Sequence, residues 1–140
     1  MNAPALKFLA SAPRGLSDLL ARELTACGAH QVRERSTGVA FAGTLESAYR
    51  ACLWSRVANR VFLELAQFEA RDAQEFHAAV RQVDWPAHLT PTVTLACDFS
   101  GRHPTITHTH FGALKLKDGI VDAMRAATGT RPDVALERPG

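Results

Sequence analysis

A chain of 140 residues, of which 46% are hydrophobic and 21% are charged, has the composition of a compact soluble protein. This length allows one ordinary core or two small ones, and it excludes a catalytic domain combined with an accessory domain. The net charge of +2 comes entirely from residues 101–140, which hold six Lys/Arg and four Asp/Glu, whereas residues 1–100 hold ten of each. Such a local basic bias is compatible with nucleic-acid binding and equally with a solvated surface that has no partner.

Apolar residues at alternating or helical spacing predict six elements in residues 1–70, which we assign to one domain. In chain order they are a strand at Leu6–Ala12, a helix from Gly15 to Cys27, strands at Gln31–Arg35 and Val39–Ala42, a helix capped by Thr44, and a strand at Asn59–Phe68. The second helix is predicted to bury Leu45, Ala48, Tyr49, Cys52 and Leu53. The order β-α-β-β-α-β is the ferredoxin-like unit, so the predicted fold class is α+β.

Residues 71–140 predict a second α/β domain. Its elements are a helix that Asp72 and Glu75 open as a capping box, a half-buried strand at Thr92–Phe99, and a long helix from about Thr109 to Ala127 that stops at Gly129. The segment Arg131–Val134 resembles the lead-in to another strand. We therefore expect this domain to be C-terminally incomplete and the sequence to be a fragment of a longer protein.

The cysteines and the apolar runs indicate the compartment. Cys27, Cys52 and Cys97 are odd in number, far apart and embedded in apolar patterns, which predicts three reduced core thiols in a cytoplasmic protein. The N-terminus has no pattern typical of a secretory signal. No segment approaches the roughly 20 apolar residues that a membrane-spanning helix needs.

A predicted strand, a basic turn and a helix start follow one another between residues 92 and 122. The turn contains Arg102 and His103, and polar residues precede and open the helix, among them Thr107, His108 and His110. Helix N-termini carry unpaired N–H groups and partial positive charge, so this arrangement predicts a phosphate-binding site. Arg102 is the strongest electrostatic candidate because a guanidinium binds phosphate through two hydrogen bonds, and imidazoles can donate to phosphate or stack on a base.

The two lysines of the long helix are predicted to point to different sides. At about 100° per residue, Lys115 shares a side with His108, whereas Lys117 points towards the apolar side that contains Ile120. Lys115 is therefore a candidate phosphate contact. For Lys117 two interpretations stay open: its stem lies along the edge of the core, or it reaches a separate groove.

The same residues also allow other interpretations. The pair His108 and His110 could hold a metal ion, although no Cys or carboxylate stands beside it at a usual ligand spacing, or it could belong to a polar turn without a ligand. No glycine-rich turn joins a strand to a helix, and no paired carboxylates or Ser/His/Asp set stands out. The sequence thus predicts a binding module rather than a catalytic domain, with no cofactor bound by this chain.

Four segments carry a resemblance to a known family, and they occur in the family's order. They are Ala12–Leu16, Leu53–Arg60, Phe99–Gly101 and Phe111–Asp122. On these segments the chain resembles the N-terminal part of bacterial 23S ribosomal RNA guanine-N2 methyltransferases of the L or K/L type, which carry a THUMP domain. Gly119 departs from the alanine expected at its position, and a glycine inside a helix is destabilising by roughly 0.5–1 kcal/mol relative to alanine.

The resemblance implies a ferredoxin-like domain followed by a THUMP domain, an RNA-binding α/β fold. Together they would present 23S rRNA, in a protein-poor or partly assembled state, to a downstream methyltransferase domain in cis that uses S-adenosylmethionine. The RNA-binding residues implied by position are Arg102, His103, Thr107, His108, His110, Lys115, Lys117 and Arg131. The catalytic domain is absent from the sequence, so we expect no methyl transfer by these residues alone.

Two other classes of function remain as alternatives. A small-molecule or metal-sensing ferredoxin-like module would bind a divalent metal through His108 and His110 and would ignore RNA. A protein-interaction scaffold would instead use an exposed sheet edge or surface without binding RNA.

Overall fold

Two hydrophobic cores organise the parts of the chain that the structure describes. The computed structural model describes residues 5–101 and 103–135. One core belongs to the unit of residues 1–65 and the other to the unit of residues 66–140. An antiparallel sheet in the first unit and helices in both confirm the predicted α+β class.

The first unit has the predicted β-α-β-β-α-β order. Its elements are β1 (Leu6–Ser11), α1 (Ser17–Ala26), β2 (His30–Arg35), β3 (Gly38–Gly43), α2 (Leu45–Trp54) and β4 (Arg60–Leu63). Neighbouring strands are antiparallel, and their order in the sheet is β2-β3-β1-β4. This arrangement is the ferredoxin-like unit, so the predicted topology is confirmed.

Both helices of the first unit pack on the same face of its sheet. This core contains Leu20 and Leu24 of α1, Ala48 and Ala51 of α2, and the strand residues Phe8, Ala10, Val39 and Phe41. Phe8 and Phe41 are directly opposite each other in the register of β1 and β3, and their stacked rings have centroids 5.2 Å apart. Because successive strand side chains point to opposite faces, the residues between these core positions lie on the other face of the sheet.

Helix α2 packs through small side chains, so the buried face predicted for it was wrong except at Ala48. Thr44 caps the helix as predicted, since its Oγ1 accepts the N–H of Ser47 at 3.2 Å. The buried residues of α2 are Ser47, Ala48 and Ala51. Four larger residues predicted to be buried are exposed, namely Leu45, Tyr49, Cys52 and Leu53. Small side chains let a helix approach a sheet closely, and apolar spacing alone does not reveal that preference.

Two further predictions for the first unit need correction. Cys52 is exposed rather than a core thiol, whereas Cys27 is half-buried. The strand predicted at Asn59–Phe68 is the four-residue β4. Its neighbour β1 begins at Leu6, so the pairing of β4 runs out soon after the N–H of Glu64 donates to the carbonyl of Lys7 at 2.9 Å.

The second unit contains α3 (Ala73–Arg81), a 3₁₀ turn at Trp85–Ala87, and α4 (Thr109–Thr128). Asp72 caps α3 as predicted, because its carboxylate accepts the N–H of Glu75 at 2.8 Å. The carboxylate of Glu75 reaches back to the N–H of Arg71 at 2.7 Å, one residue beyond the usual capping box. Helix α4 is the predicted long helix and ends at Gly129.

Residues 92–99 do not form the predicted strand. Leu95 makes an isolated parallel bridge with Val134, in which its N–H and carbonyl bond to Asp133 and Ala135 at 2.9 Å. Leu95 is buried, but Val93 is 43% exposed. A strand needs backbone partners along its length, and within the described residues a partner for this segment is present only around Val134.

The second core depends on a close approach between α3 and α4. Gly119 in the middle of α4 is buried, and a Cβ built there would lie 2.7 Å from Cγ1 and 2.9 Å from Cβ of Val80 in α3. Val80 is itself 2% exposed, so it has little room to move. The departure from alanine at Gly119 therefore fits the packing, and the loss of helix propensity is compensated by the contact with α3.

Replacing Gly119 by alanine is expected to destabilise the second unit by about 1–2 kcal/mol, because overpacking outweighs the gain in helix propensity. Urea unfolding of Gly119→Ala, Val80→Ala and the double variant would measure this effect. In the double variant the new methyl group occupies space that Val80 has vacated, so its loss of stability should be smaller than the sum of the single losses. If the loss of stability in the double variant equals the sum of the single losses, the size of residue 80 does not limit the space at position 119.

Glu23 ties α1 to the segment after α2. Its carboxylate accepts the hydroxyl of Ser55 at 2.8 Å and the N–H of Arg56 at 2.9 Å. The bond from the Arg56 N–H, supported by that from Ser55, holds the pKa of Glu23 below its ordinary range, although partial burial acts in the opposite direction. The folded state therefore favours the charged carboxylate.

The variant Glu23→Gln is expected to lose about 1 kcal/mol of stability at neutral pH, because a hydrogen bond to a charged acceptor is replaced by one to a neutral amide. The Glu23 contribution is present above the ordinary glutamate pKa of about 4.3 and is lost as the pH falls through the lower, folded-state value. Unfolding free energies of both proteins across this range should therefore converge at acid pH. Glu46→Gln, which removes an exposed ion pair with Arg50, is the control and should change stability by less than about 0.5 kcal/mol.

Candidate nucleic-acid interface

The N-terminus of α4 is uncapped and has no acidic residue in its first turn. His108 is the N-cap residue, and its side chain makes no capping hydrogen bond. The N–H of Gly112 is bonded to the carbonyl of His108 at 3.0 Å. The N–H groups of the first turn before Gly112 have no partner within the helix, which is the usual state of a helix start. This end of α4 therefore presents donors and partial positive charge to an anion.

Three of the predicted binding residues surround this helix start with exposed side chains. They are Thr107, His108 and His110. Phe99 holds the turn in place, because its ring lies against Gly112 where any Cβ would clash. The same ring meets Phe76 of α3 edge-on with centroids 5.8 Å apart, so the start of α4 is anchored to the second core.

Lys115 lies on the same side of α4 as His108, as predicted. The two are about 10 Å apart along the axis at a rise of 1.5 Å per residue. The ammonium group of Lys115 lies 5.5 Å from the centroid of the Phe111 ring, an arrangement that restrains the side chain without neutralising it. Sequence reasoning missed Phe111, although its spacing of four residues from Lys115 is a signal for contact on a helix.

His103 is engaged by the protein itself. Its Nδ1 accepts the N–H groups of Thr105 and Ile106, each at 3.2 Å, and its Nε2 lies 2.6 Å from the carbonyl oxygen of Ala70. Because a backbone N–H can only donate, Nδ1 is the unprotonated nitrogen and Nε2 donates to Ala70. Both ring nitrogens thus hold the loop that precedes α4, and a phosphate contact through His103 would require breaking one of these bonds.

Lys117 and Arg131 are not gathered at this helix start. Lys117 is half-buried on another side of α4 and pairs with Asp118 at 2.8 Å, consistent with a stem along the core edge. It lies near Cys97, whose thiol pKa is raised by burial. Arg131 follows the C-terminal end of α4, about 30 Å from His108 along a helix of this length. Arg102 lies outside the described residues.

A groove between α3 and α4 adjoins the same side of α4. It is lined by Ala73, Gln74, His77, Phe111, Lys115, Asp118 and Asp122. His77 Nε2 lies 3.0 Å from Asp122 Oδ2, a contact that the sequence analysis did not foresee. The carboxylates of Asp118 and Asp122 make the distant part of this groove unfavourable for phosphate, so the candidate anion site is limited to the first turns of α4.

Among residues 5–101 and 103–135, no group of three or more His, Cys, Asp or Glu residues could hold a metal ion. Within the same ranges, no helix has the length and apolar character needed to cross a membrane.

Comparison with known protein families identifies both units. The family model of the THUMP domain matches residues 70–140, just over half of the chain. The chain belongs to the THUMP domain family. The model called RlmL ferredoxin-like domain matches residues 7–62, which include all four strands of the first unit except the first residue of β1 and the last residue of β4. The THUMP match contains the whole α4 site, so the predicted family resemblance is confirmed.

Curated relatives of this THUMP chain are named ribosomal RNA large subunit methyltransferase K/L. The chain is 51% identical to the protein of Methylococcus capsulatus over 132 residues, which are 94% of the chain and 18% of that protein. It is 48% identical to the protein of Syntrophotalea carbinolica over 139 residues, which are 99% of the chain and 19% of that protein. The chain therefore spans about a fifth of the length of these relatives.

Solved structures show the same fold at low sequence identity. A predicted N6-adenine-specific DNA methylase from Listeria monocytogenes superposes with a TM-score of 0.82 and 22% identity, over 93% of this chain and 35% of that one. SMU.472, described as a methyltransferase in complex with SAH, superposes with a TM-score of 0.83 and 20% identity, over 94% of this chain and 36% of that one. These similarities establish the fold.

The hydrogen bonds of His103 predict that its replacement acts on stability, unlike replacement of the exposed histidines. His103→Ala should destabilise the second unit by about 1–3 kcal/mol, since it leaves the N–H of the buried residue Ile106 without its acceptor. His108→Ala and His110→Ala are the matched controls and should stay within about 0.5 kcal/mol of the original protein in urea unfolding. Equal stability of all three variants would show that His103 does not hold the loop.

Proposed function

We propose that this chain is the RNA-binding part of an S-adenosylmethionine-dependent 23S rRNA guanine-N2 methyltransferase. Its relatives are named large-subunit rRNA methyltransferases, and residues 70–140 match the THUMP domain. The observation that carries the proposal is the exposed, uncapped start of α4 inside that matched region. In this function the chain binds rRNA and positions it for a catalytic domain located elsewhere in the longer protein.

The proposed contact is with the RNA phosphate backbone. The free N–H groups of the first turn of α4 and the hydroxyl of Thr107 donate to one phosphate, and His108 and His110 donate to the same or an adjacent group. Lys115 supplies full positive charge about 10 Å further along the same side of the helix. Contacts of this kind fix the position of the RNA and carry little sequence information by themselves.

The proposal assigns other roles to Arg102, His103, Lys117 and Arg131. Arg102 stays a proposed phosphate contact because it directly precedes His103 in the loop that leads to α4. His103 is proposed to position that loop. Lys117 and Arg131 could bind only parts of an RNA that extends beyond the start of α4, since one faces another side of the helix and the other follows its far end.

Methyl transfer is proposed to take place outside this chain. SMU.472, which shares the fold, is described as bound to SAH, and the relatives are about five times longer than this chain. We propose S-adenosylmethionine as the cofactor of a downstream domain in cis, 23S rRNA that is protein-poor or partly assembled as the substrate, and the cytoplasm as the location.

The outer side of α2 supports a contact with the rest of such a longer protein. An apolar stripe is formed by Leu45, Tyr49 and Leu53, which recur every four residues and are 46%, 67% and 77% exposed. Large apolar side chains grouped on one exposed helix side are typical of an interaction surface. We propose that the remainder of the methyltransferase covers this stripe.

The proposal predicts that charge at the start of α4 governs rRNA affinity. Lys115→Gln combined with His108→Ala and His110→Ala should weaken binding to protein-free 23S rRNA about tenfold, and it should reduce the slope of log affinity against log salt by about one. Filter binding or mobility shifts over a range of KCl concentrations would measure both quantities.

Arg125→Gln is the charge-matched control, because Arg125 is an exposed cation in the last turn of the same helix. It should keep both the affinity and the salt slope close to those of the original protein. If the triple variant and Arg125→Gln have the same rRNA affinity and the same salt slope, there is no phosphate site at the start of α4.

A further inference from the structure

The face of the first-unit sheet opposite to α1 and α2 carries a row of basic side chains. The strand register places Arg33 opposite Ala40, Ala40 opposite Leu9, and Leu9 opposite Phe62, so one row crosses all four strands. The cations and imidazole on this face are Lys7, His30, Arg33, Arg35 and Arg60. All five are exposed. We call this surface the open sheet face.

Positive charge is concentrated in the first unit when the chain is divided by its structure. Residues 1–65 hold eight Lys/Arg and five Asp/Glu, a net charge of +3, whereas residues 66–140 hold eight Lys/Arg and nine Asp/Glu, a net charge of −1. The negative balance of the second unit comes from residues 66–100, which hold two Lys/Arg and five Asp/Glu and offset the positive charge of residues 101–140.

Most carboxylates of the first unit lie away from the open sheet face. Asp18 and Glu23 are on α1, Glu46 is on α2, and Glu34 is opposite the core residue Val39 in the register. Glu64, next to Lys7, is the exception. Within the described ranges, the lysine and the three arginines of this face form no ion pair. Their charge is therefore free to act on a ligand.

The shape and the side chains of this face suit a nucleic-acid backbone. Strand spacing of about 4.8 Å gives the row from Arg33 to Phe62 a width of roughly 14 Å, and Arg33 and Arg35 are about 6–7 Å apart along β2. Small residues, Ala40 and Ala42, form the floor of the face. Phe62 on β4 is 45% exposed and offers a flat ring on which a base can stack.

Two aromatic rings of the central strands point into the core, so they are not available for stacking on RNA bases. Phe8 and Phe41 occupy the two central strands, but both face the helices and are 4% and 3% exposed. Four-stranded sheets that read RNA sequence stack bases on exposed aromatic residues of such strands. The open sheet face therefore recognises mainly phosphate, with stacking confined to its edge.

We propose that the open sheet face is a second RNA-binding surface, which takes the phosphate backbone of single-stranded RNA with little sequence preference. The choice of RNA rests on the proposed function, whereas the residues are separate from those of α4. In the longer protein this surface would hold an unpaired RNA segment while the start of α4 binds elsewhere on the same molecule.

The test uses the full chain and a short fluorescent oligouridine, with anisotropy measured over a series of KCl concentrations. Arg33→Gln/Arg35→Gln should weaken binding about tenfold and lower the salt slope by about 1.4, which corresponds to two single-strand phosphate contacts. The matched control is Arg22→Gln/Arg50→Gln, which removes two exposed arginines from α1 and α2 and should leave both quantities unchanged.

Two further variants separate charge from stacking. Arg33→Lys/Arg35→Lys should keep most of the salt slope, since the charges remain. Phe62→Ala should weaken binding at least about fivefold without changing the slope, as expected for loss of one stacked base. Tyr49→Ala, which removes an exposed ring from α2, is its control and should bind normally.

The outcomes distinguish this inference from the proposed function. If Arg33→Gln/Arg35→Gln binds oligouridine as tightly as Arg22→Gln/Arg50→Gln, the second surface does not exist, whatever the α4 variants do. If the sheet variant is weakened while the α4 variant binds 23S rRNA normally, the open sheet face stands and the site at α4 is wrong. Absence of oligouridine binding by the original protein would overturn the inference directly.

Discussion

The close contact between Gly119 of α4 and Val80 of α3 determines which side of the long helix faces solvent. A side chain larger than hydrogen at position 119 would push the helices apart, because Val80 is buried and cannot move away freely. With this contact in place, Ile120 and Met124 enter the core, whereas His108 is exposed and Lys115 is half-buried on another side of the helix. The candidate binding site is thus a consequence of how α4 packs.

The loop before α4 is positioned by hydrogen bonds rather than by apolar packing alone. His103 joins Ala70 to the residues that lead into the helix, and Thr105 adds a bond to the carbonyl of Arg71 at 2.8 Å. Ile106, within this loop, is buried. A loop fixed at both ends in this way can present the helix start in one orientation, which reduces the entropy lost when an anion binds.

In the first unit, successive side chains along each strand alternate between the core under the helices and the open sheet face. Phe8 and Ala10 face the helices, so Lys7 and Leu9 must face the other way. The bulge between His30 and Arg33 keeps Arg33 and Arg35 on the same face as the exposed residues of the central strands. Charge that appears balanced along the sequence is therefore unevenly distributed in space.

The sequence by itself determined the helices and the elements of the first unit in their order, because caps, turns and apolar spacing are local. Asp72, Thr44 and Gly129 mark helix ends through bonds to nearby residues, and each was predicted correctly. It also determined the family, through segments that retain their order along the chain.

Only the tertiary structure decided which chemically similar residues are exposed and which are bonded inside the protein. His103 and His108 look alike in the sequence, yet one is used inside the protein and the other is exposed, because Ala70 lies beside His103 in space. Three other features likewise depend on residues that are far away in the chain. They are the burial of small residues on α2, the shortness of β4 and the absence of a strand at 92–99. Contacts between residues far apart in the chain have no local signature, which is why these features required the folded molecule.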